Sequence, residues 1–133
     1  MSELSQFRVP GLSAGEVEGL EWRETSVEGV SWILMAADEV ASREEKRGGA
    51  CVLIRMCPGR GYPAHRHLGA EDVLVLQGGY RDEFGDHVAG DFVRYPPGSD
   101  HAPVALGEVE GPVGPENPAC VLFSSIAEGI ELL

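Results

Sequence analysis

Short apolar runs recur along the chain, and each is closed by glycine, proline or acidic turn residues. Trp22–Thr25 and Val30–Ala36 read as two strands joined by a turn around Glu28-Gly29. Ala50–Cys57 is a strongly apolar strand that Pro58-Gly59 stops. Asp72–Gln77 is a β-rich run ended by Gly78-Gly79. Tyr80–Phe84 reads as a strand, Gly85-Asp86 as a tight turn and Asp91–Tyr95 as another strand. Pro96-Pro97-Gly98 forces a turn before a strand at His101–Ala105. Residues 107–118 hold three glycines and three prolines, which predicts an irregular loop, and Ala119–Ile126 closes the series. Strands at spacings of about 8–12 residues with turn chemistry between them predict an all-β sandwich or barrel. The charged stretch Ala37–Arg47 fits either a helical turn or an exposed loop. Residues 1–19 are polar without a clear period and read as an N-terminal arm, leaving 20–133 as one domain.

Composition narrows the function. A chain of 133 residues, 43% of them hydrophobic, fits one domain with one core. The formal net charge of −12 repels phosphate backbones and anionic bilayers, which excludes nucleic-acid and membrane-surface roles. The start Met1-Ser2-Glu3-Leu4-Ser5 has no basic n-region or apolar h-region, and no run approaches the length of a membrane span. Three cysteines without a CxxC spacing suit a reducing compartment, so a cytoplasmic location is expected. Cys51 and Cys120 lie in apolar runs and read as small buried hydrophobes.

The candidate chemistry rests on histidine. His65 and His67 are two apart, so on a strand they share a face. Glu71 follows a short bend at Leu68-Gly69-Ala70, which can return a carboxylate over the same site. His101 comes 34 residues after His67, past a hairpin, and can add a ligand from another strand. Three neutral imidazoles and one carboxylate suit a borderline divalent ion. The fourth histidine, His87, reads as a solvated turn residue. If Glu71 points inward, alternation places Val73, Val75 and Gln77 inward as well, and Leu74 and Leu76 outward. Gln77, Tyr62, Tyr95 and Arg55 are then candidates to face the interior, the first three as supporting or substrate contacts. The outward leucines suggest an apolar face that a homodimer would cover.

The pattern Gly59-x5-His65-x-His67-x3-Glu71-x6-Gly78 resembles the first cupin motif, and Gly90-x5-Pro96-x-Gly98-x2-His101 resembles the second. The second motif usually ends in Asn, where this chain has Ala105. The runs Tyr62–His67, Val73–Gly79, Asp82–His87 and Arg94–His101 are most similar to ChrR-type cupins, found in zinc anti-sigma factors and in dioxygenase-like proteins. The resemblance implies a single cupin (jelly-roll) β-barrel over about residues 20–126. It also implies one metal ion on His65, His67, Glu71 and His101, with iron or zinc favoured over manganese, nickel or copper. The arm before residue 20 is too short for the helical sigma-binding domain of the anti-sigma members. Two functions follow as expectations: a metal-dependent dioxygenase-type enzyme for a small ketone or diketone held in the barrel, or a metal-bound sensor or binding module.

Overall fold

A computed structural model describes residues 17–37 and 49–133. The arm residues before Val17 and the charged stretch from position 38 to 47 lie outside the described residues. The described chain is built from strands: β1 Arg23–Glu24, β2 Val30–Ala37, β3 Ala50–Met56, β4 His65–His67, β5 Glu71–Gln77, β6 Gly79–Asp82, β7 Gly85–Val88, β8 Phe92–Tyr95, β9 Asp100–His101, β10 Val104–Ala105, β11 Cys120–Ile126 and β12 Ile130–Leu132. They form a six-stranded sheet in the order β1-β2-β3-β11-β5-β8 and two three-stranded sheets, β10-β6-β7 and β12-β4-β9. All ladders are antiparallel. This is the all-β cupin architecture that the turn spacing and motifs imply. No helix among the described residues is long and apolar enough to cross a membrane.

Side-chain alternation sets the interior. On β5, Glu71, Val73 and Val75 are buried while Leu74 is exposed. Val73 pairs with Ser124 and Val93, and Val75 pairs with Leu122, so apolar residues from three strands meet on the inner face. Val30, Met56, Tyr80, Tyr95 and Cys120 complete that core. The outer face carries its own apolar row, in which Ile33, Leu53, Phe123, Leu74 and Phe92 are successive cross-strand partners. Part of this face is covered near Arg55, whose guanidinium binds Glu18 at 2.6 and 2.7 Å. That clamp fixes the start of the described chain, where Val17 is fully buried.

Three local readings change. The hairpin turn after β6 is Glu83-Phe84, not Gly85-Asp86, because the Asp82 carboxylate accepts the Phe84 N–H at 2.9 Å and closes an Asx turn one step earlier. Gly85 pairs with Asp82 as a strand residue at φ 124°. The expected strand His101–Ala105 is split into β9 and β10, which join different sheets. Pro103 cannot donate to a ladder, and its carbonyl instead accepts the Tyr62 N–H at 3.0 Å. Finally, β12 adds a strand on the far side of β4, pairing Ile130 with His67 and Leu132 with His65.

Gly78 shows why the turn after β5 needs glycine. Its φ is +65°, and a Cβ there would lie 2.7 Å from the Ala119 carbonyl oxygen. Gly78→Ala is expected to destabilise the fold by about 1–3 kcal/mol or more, combining left-handed strain with a backbone clash. Urea unfolding measures it; an unchanged midpoint would contradict the turn geometry.

Candidate metal centre

The four residues singled out by spacing converge. β4 has the burial pattern buried–exposed–buried, so His65 and His67 point inward and Arg66 points out. Antiparallel pairing sets His101 directly opposite His65. Glu71 opens β5, and Ser124 on β11 donates a short hydrogen bond to its Oε2. All four side chains are buried, and their potential donor atoms lie within 4.8 Å of one another.

Hydrogen bonding fixes how each ring presents itself. His65 Nδ1 lies 2.9 Å from the Pro63 carbonyl oxygen, and His67 Nδ1 lies 3.0 Å from that of Ser99. A carbonyl can only accept, so both rings carry a proton on Nδ1, and their neutral forms leave Nε2 bare. His101 Nδ1 is 2.9 Å from Asp82 Oδ2, which imposes the same tautomer on a third ring. The consequence is three inward lone pairs beside a carboxylate. His101 Nε2 and His65 Nε2 stand 3.0 Å apart. His67 Nε2 is 2.8 Å from Glu71 Oε1 yet has no hydrogen-bond partner. Lone pairs brought this close in a buried site repel wherever no proton lies between them, and a cation among them satisfies all four groups at once. The chemistry of the donor set therefore fits a divalent metal.

Charge states agree with that fit. Burial pushes His65 below the ordinary imidazole value, and its neighbours His101 and His67 push it further, against the Pro63 carbonyl. Burial works against charge on Glu71, but His67 and Ser124 outweigh it and hold the carboxyl below its usual range. Neutral imidazole and ionised carboxylate are the ligating forms.

The cluster forms one end of a cavity of about 440 Å³. His65, Glu71 and His101 reach its surface, together with Tyr62 and Tyr80. The remaining wall is mostly apolar and includes Trp32, Val52, Ile54, Met56, Val73 and Leu122. This wall comes from the six-stranded sheet, while the histidines come from the sheet opposite, so the cavity lies between them.

The supporting candidates distribute unevenly. Tyr62 lines the cavity and meets the His65 ring edge-on, with centroids 5.4 Å apart. Tyr95 is buried behind the cluster, stacked on His67 at 5.1 Å. Gln77 does not line the cavity. A register shift beside Leu122 pairs it with Val121, and its amide donates to the Ala119 carbonyl at 3.0 Å. Arg55 faces outward to Glu18. His87 is not a solvated turn residue: it lies on β7, its side chain is 13% exposed, and its Nε2 lies 3.0 Å from Asp82 Oδ1.

Sequence reasoning missed Asp82, Tyr80 and Ser124. Burial raises the Tyr80 and Tyr95 pKa values, so both hydroxyls keep their protons. Tyr95 donates to Asp82 at 2.5 Å, so its oxygen accepts from Tyr80, also at 2.5 Å. The available signal was parity: Tyr80 and Asp82 share a face of β6 and are both buried, while Arg81 between them is exposed.

Comparison with known proteins agrees with this architecture. Residues 13–110 match the family model described as the ChrR cupin-like domain. A chain in the crystal structure of Rhodobacter sphaeroides SigE in complex with the anti-sigma ChrR is 26% identical, with a TM-score of 0.62 over 83% of this chain and 50% of that one. An RmlC-like cupin from Ralstonia eutropha is 23% identical, with a TM-score of 0.67 over 85% of this chain and 66% of its own. An acetylacetone dioxygenase from Acinetobacter johnsonii shares the fold at 10% identity, with a TM-score of 0.63 over 100% of this chain and 82% of its own. The chain thus spans half the length of the first of these. No functionally curated protein sequence matches it significantly. With the family model covering most of its length, and the buried histidine–glutamate cluster at the motif positions, the chain belongs to the ChrR cupin-like domain family.

Proposed function

We propose that the protein is a mononuclear metal-dependent enzyme of dioxygenase type, acting on a small ketone or diketone. His65, His67, Glu71 and His101 would hold the ion, one per chain, with iron or zinc favoured. The observation that carries this reading is the placement of the cluster at the surface of a mostly apolar cavity of about 440 Å³. That volume lies in the range of small-molecule sites. A bound divalent ion supplies Lewis acidity toward a substrate oxygen. The protein's own residues do the rest. Trp32, Val52 and Val73 bind the carbon skeleton and exclude water. Tyr80 donates its O–H to Tyr95, so toward the cavity its oxygen can only accept, and it can orient an enol or hydroxyl group. The likeness to an acetylacetone dioxygenase supports the class of substrate.

Metal analysis of untagged protein, followed by anaerobic loading with iron, zinc, manganese, nickel or copper, tests the reading. Oxygen consumption with acetylacetone and with a hydroxyketone is the expected result for one of the loaded forms. The likeness to a chain of the SigE–ChrR complex favours a second reading, a metal-bound sensor or binding module. That reading prevails if metal binds but neither ketone is consumed with any of the five ions.

A cytoplasmic homodimer completes the proposal. Leu74 and Phe92 are cross-strand partners on the outer face, 37% and 64% exposed. A second copy meeting this face would bury them. Sedimentation equilibrium is expected to give twice the 14.2 kDa chain mass, and Phe92→Asp is expected to give the single chain. A wild-type protein that sediments as one chain at micromolar concentration would end the dimer proposal.

A further inference from the structure

We propose that Asp82 is a positioning residue of the metal centre: its carboxylate holds His101 in the Nδ1–H tautomer and aims the Nε2 lone pair into the cluster. The inference rests on the reading of the cluster as a metal site. Three observations carry it. Of the three rings, two are oriented by main-chain carbonyls, from Pro63 and Ser99, and only His101 is oriented by a charged side chain. His101 also has the weakest main-chain support. Its strand, β9, is two residues long and is followed by Ala102-Pro103. A side-chain anchor therefore does for His101 what the backbone does for the other two.

The second observation is that Asp82 is itself immobilised. Oδ2 receives Tyr95 Oη at 2.5 Å and His101 Nδ1 at 2.9 Å. Oδ1 receives the Phe84 N–H at 2.9 Å and His87 Nε2 at 3.0 Å. Each oxygen has two donors, so the carboxylate cannot rotate without breaking bonds. The third observation concerns topology. Asp82 ends β6 in one three-stranded sheet, and His101 ends β9 in the other, so this bond ties the two sheets together at the site.

A carboxylate behind a ligating imidazole does more than a carbonyl does. It fixes ring orientation and raises the basicity of the distal nitrogen, and loss of such a partner typically weakens metal affinity by about 10–100-fold. It also adds a second negative charge behind His101, so with Glu71 two carboxylates are available to balance a divalent ion.

The test uses the full chain and two readouts. In metal-free wild type, long-range ¹H–¹⁵N correlation spectra of the histidine rings are expected to show His101 protonated on Nδ1 and bare on Nε2. In Asp82→Asn, cobalt or zinc affinity measured by chelator competition is expected to fall by about 10–100-fold, and the His101 tautomer to become mixed. A variant that folds, keeps the tautomer and binds metal within a factor of about two would reduce Asp82 to a fold-holding residue and overturn the proposal. If Asp82→Asn does not fold, the wild-type spectrum decides alone: a His101 protonated on Nε2 overturns it. Should wild type bind no metal, the reading of the site fails, while the tautomer still judges what Asp82 does to His101.

Discussion

His101→Ala is expected to weaken metal binding by more than the roughly 10–100-fold that follows from losing an outer hydrogen-bond partner, because it removes a ligand outright. The remaining donors cannot compensate. His65 and His67 are held in place by their bonds to Pro63 and Ser99, and Glu71 is held by Ser124. None can move to the vacated position without abandoning a buried partner. The same substitution deprives Asp82 Oδ2 of one donor, so metal-free stability should also fall, by about 1–3 kcal/mol for a buried acceptor left short. Chelator competition measures the first effect and urea unfolding the second. Thermal unfolding adds an independent check. An ion present at about 1,000 times its dissociation constant stabilises the wild type by about 4 kcal/mol, a rise of several degrees per kcal/mol for a chain of this size. The variant should show a much smaller response at the same concentration, since each tenfold loss of affinity removes about 1.4 kcal/mol. If His101→Ala keeps both its affinity and its metal-dependent melting shift, the four residues are not the ligand set.

The convergence of His65, His67, Glu71 and His101 was legible because its geometry follows from two simple rules. Alternation on a strand puts His65 and His67 on one face, and antiparallel return after a hairpin brings His101 opposite His65. The barrel walls were legible for the same reason, since Val73 and Val75 follow Glu71 at a period of two. Where the rules stop, so did the reading. Gln77 leaves the alternation because a register shift intervenes, and nothing in Val-Leu-Val-Leu-Gln announces one. His87 was misread through Gly85-Asp86, a dipeptide that looks like a turn. Asp82 competes for the turn by capturing the Phe84 N–H, which moves the reversal upstream and places His87 on β7, opposite Tyr80. That single shift also hid Asp82, because a residue expected in mid-strand became the hinge between turn, tyrosines and His101. The segment 38–47, where a helical turn and a loop were both open, lies outside the described residues.

The cavity yields the second large effect. Val52→Phe is expected to lower ketone turnover by about 100-fold or more, an effect at least as large as a misfit of a few methylenes in an apolar pocket, while leaving metal affinity within a few-fold of wild type. Val52 is 5% exposed, lines the cavity and lies on β3 opposite Ser124, the residue that hydrogen-bonds Glu71. A phenyl ring there projects into the space beside the cluster without replacing any residue that holds it. Overpacking a filled core costs about 1–3 kcal/mol, but this side chain borders open volume, so the cost should sit at the lower end. The comparison of two readouts gives the experiment its force. Lost turnover with metal retained places the substrate in the cavity between the sheets. Lost metal would mean that the ring displaces Ser124 and Glu71, and Val52→Ile, with a smaller extension toward the same space, then resolves steric exclusion from ligand disruption by its graded effect on turnover alone. Undiminished turnover in a folded, metal-loaded Val52→Phe protein would place the reaction outside this cavity, and with it would fall the role assigned to Trp32, Val73 and Tyr80 in holding the substrate.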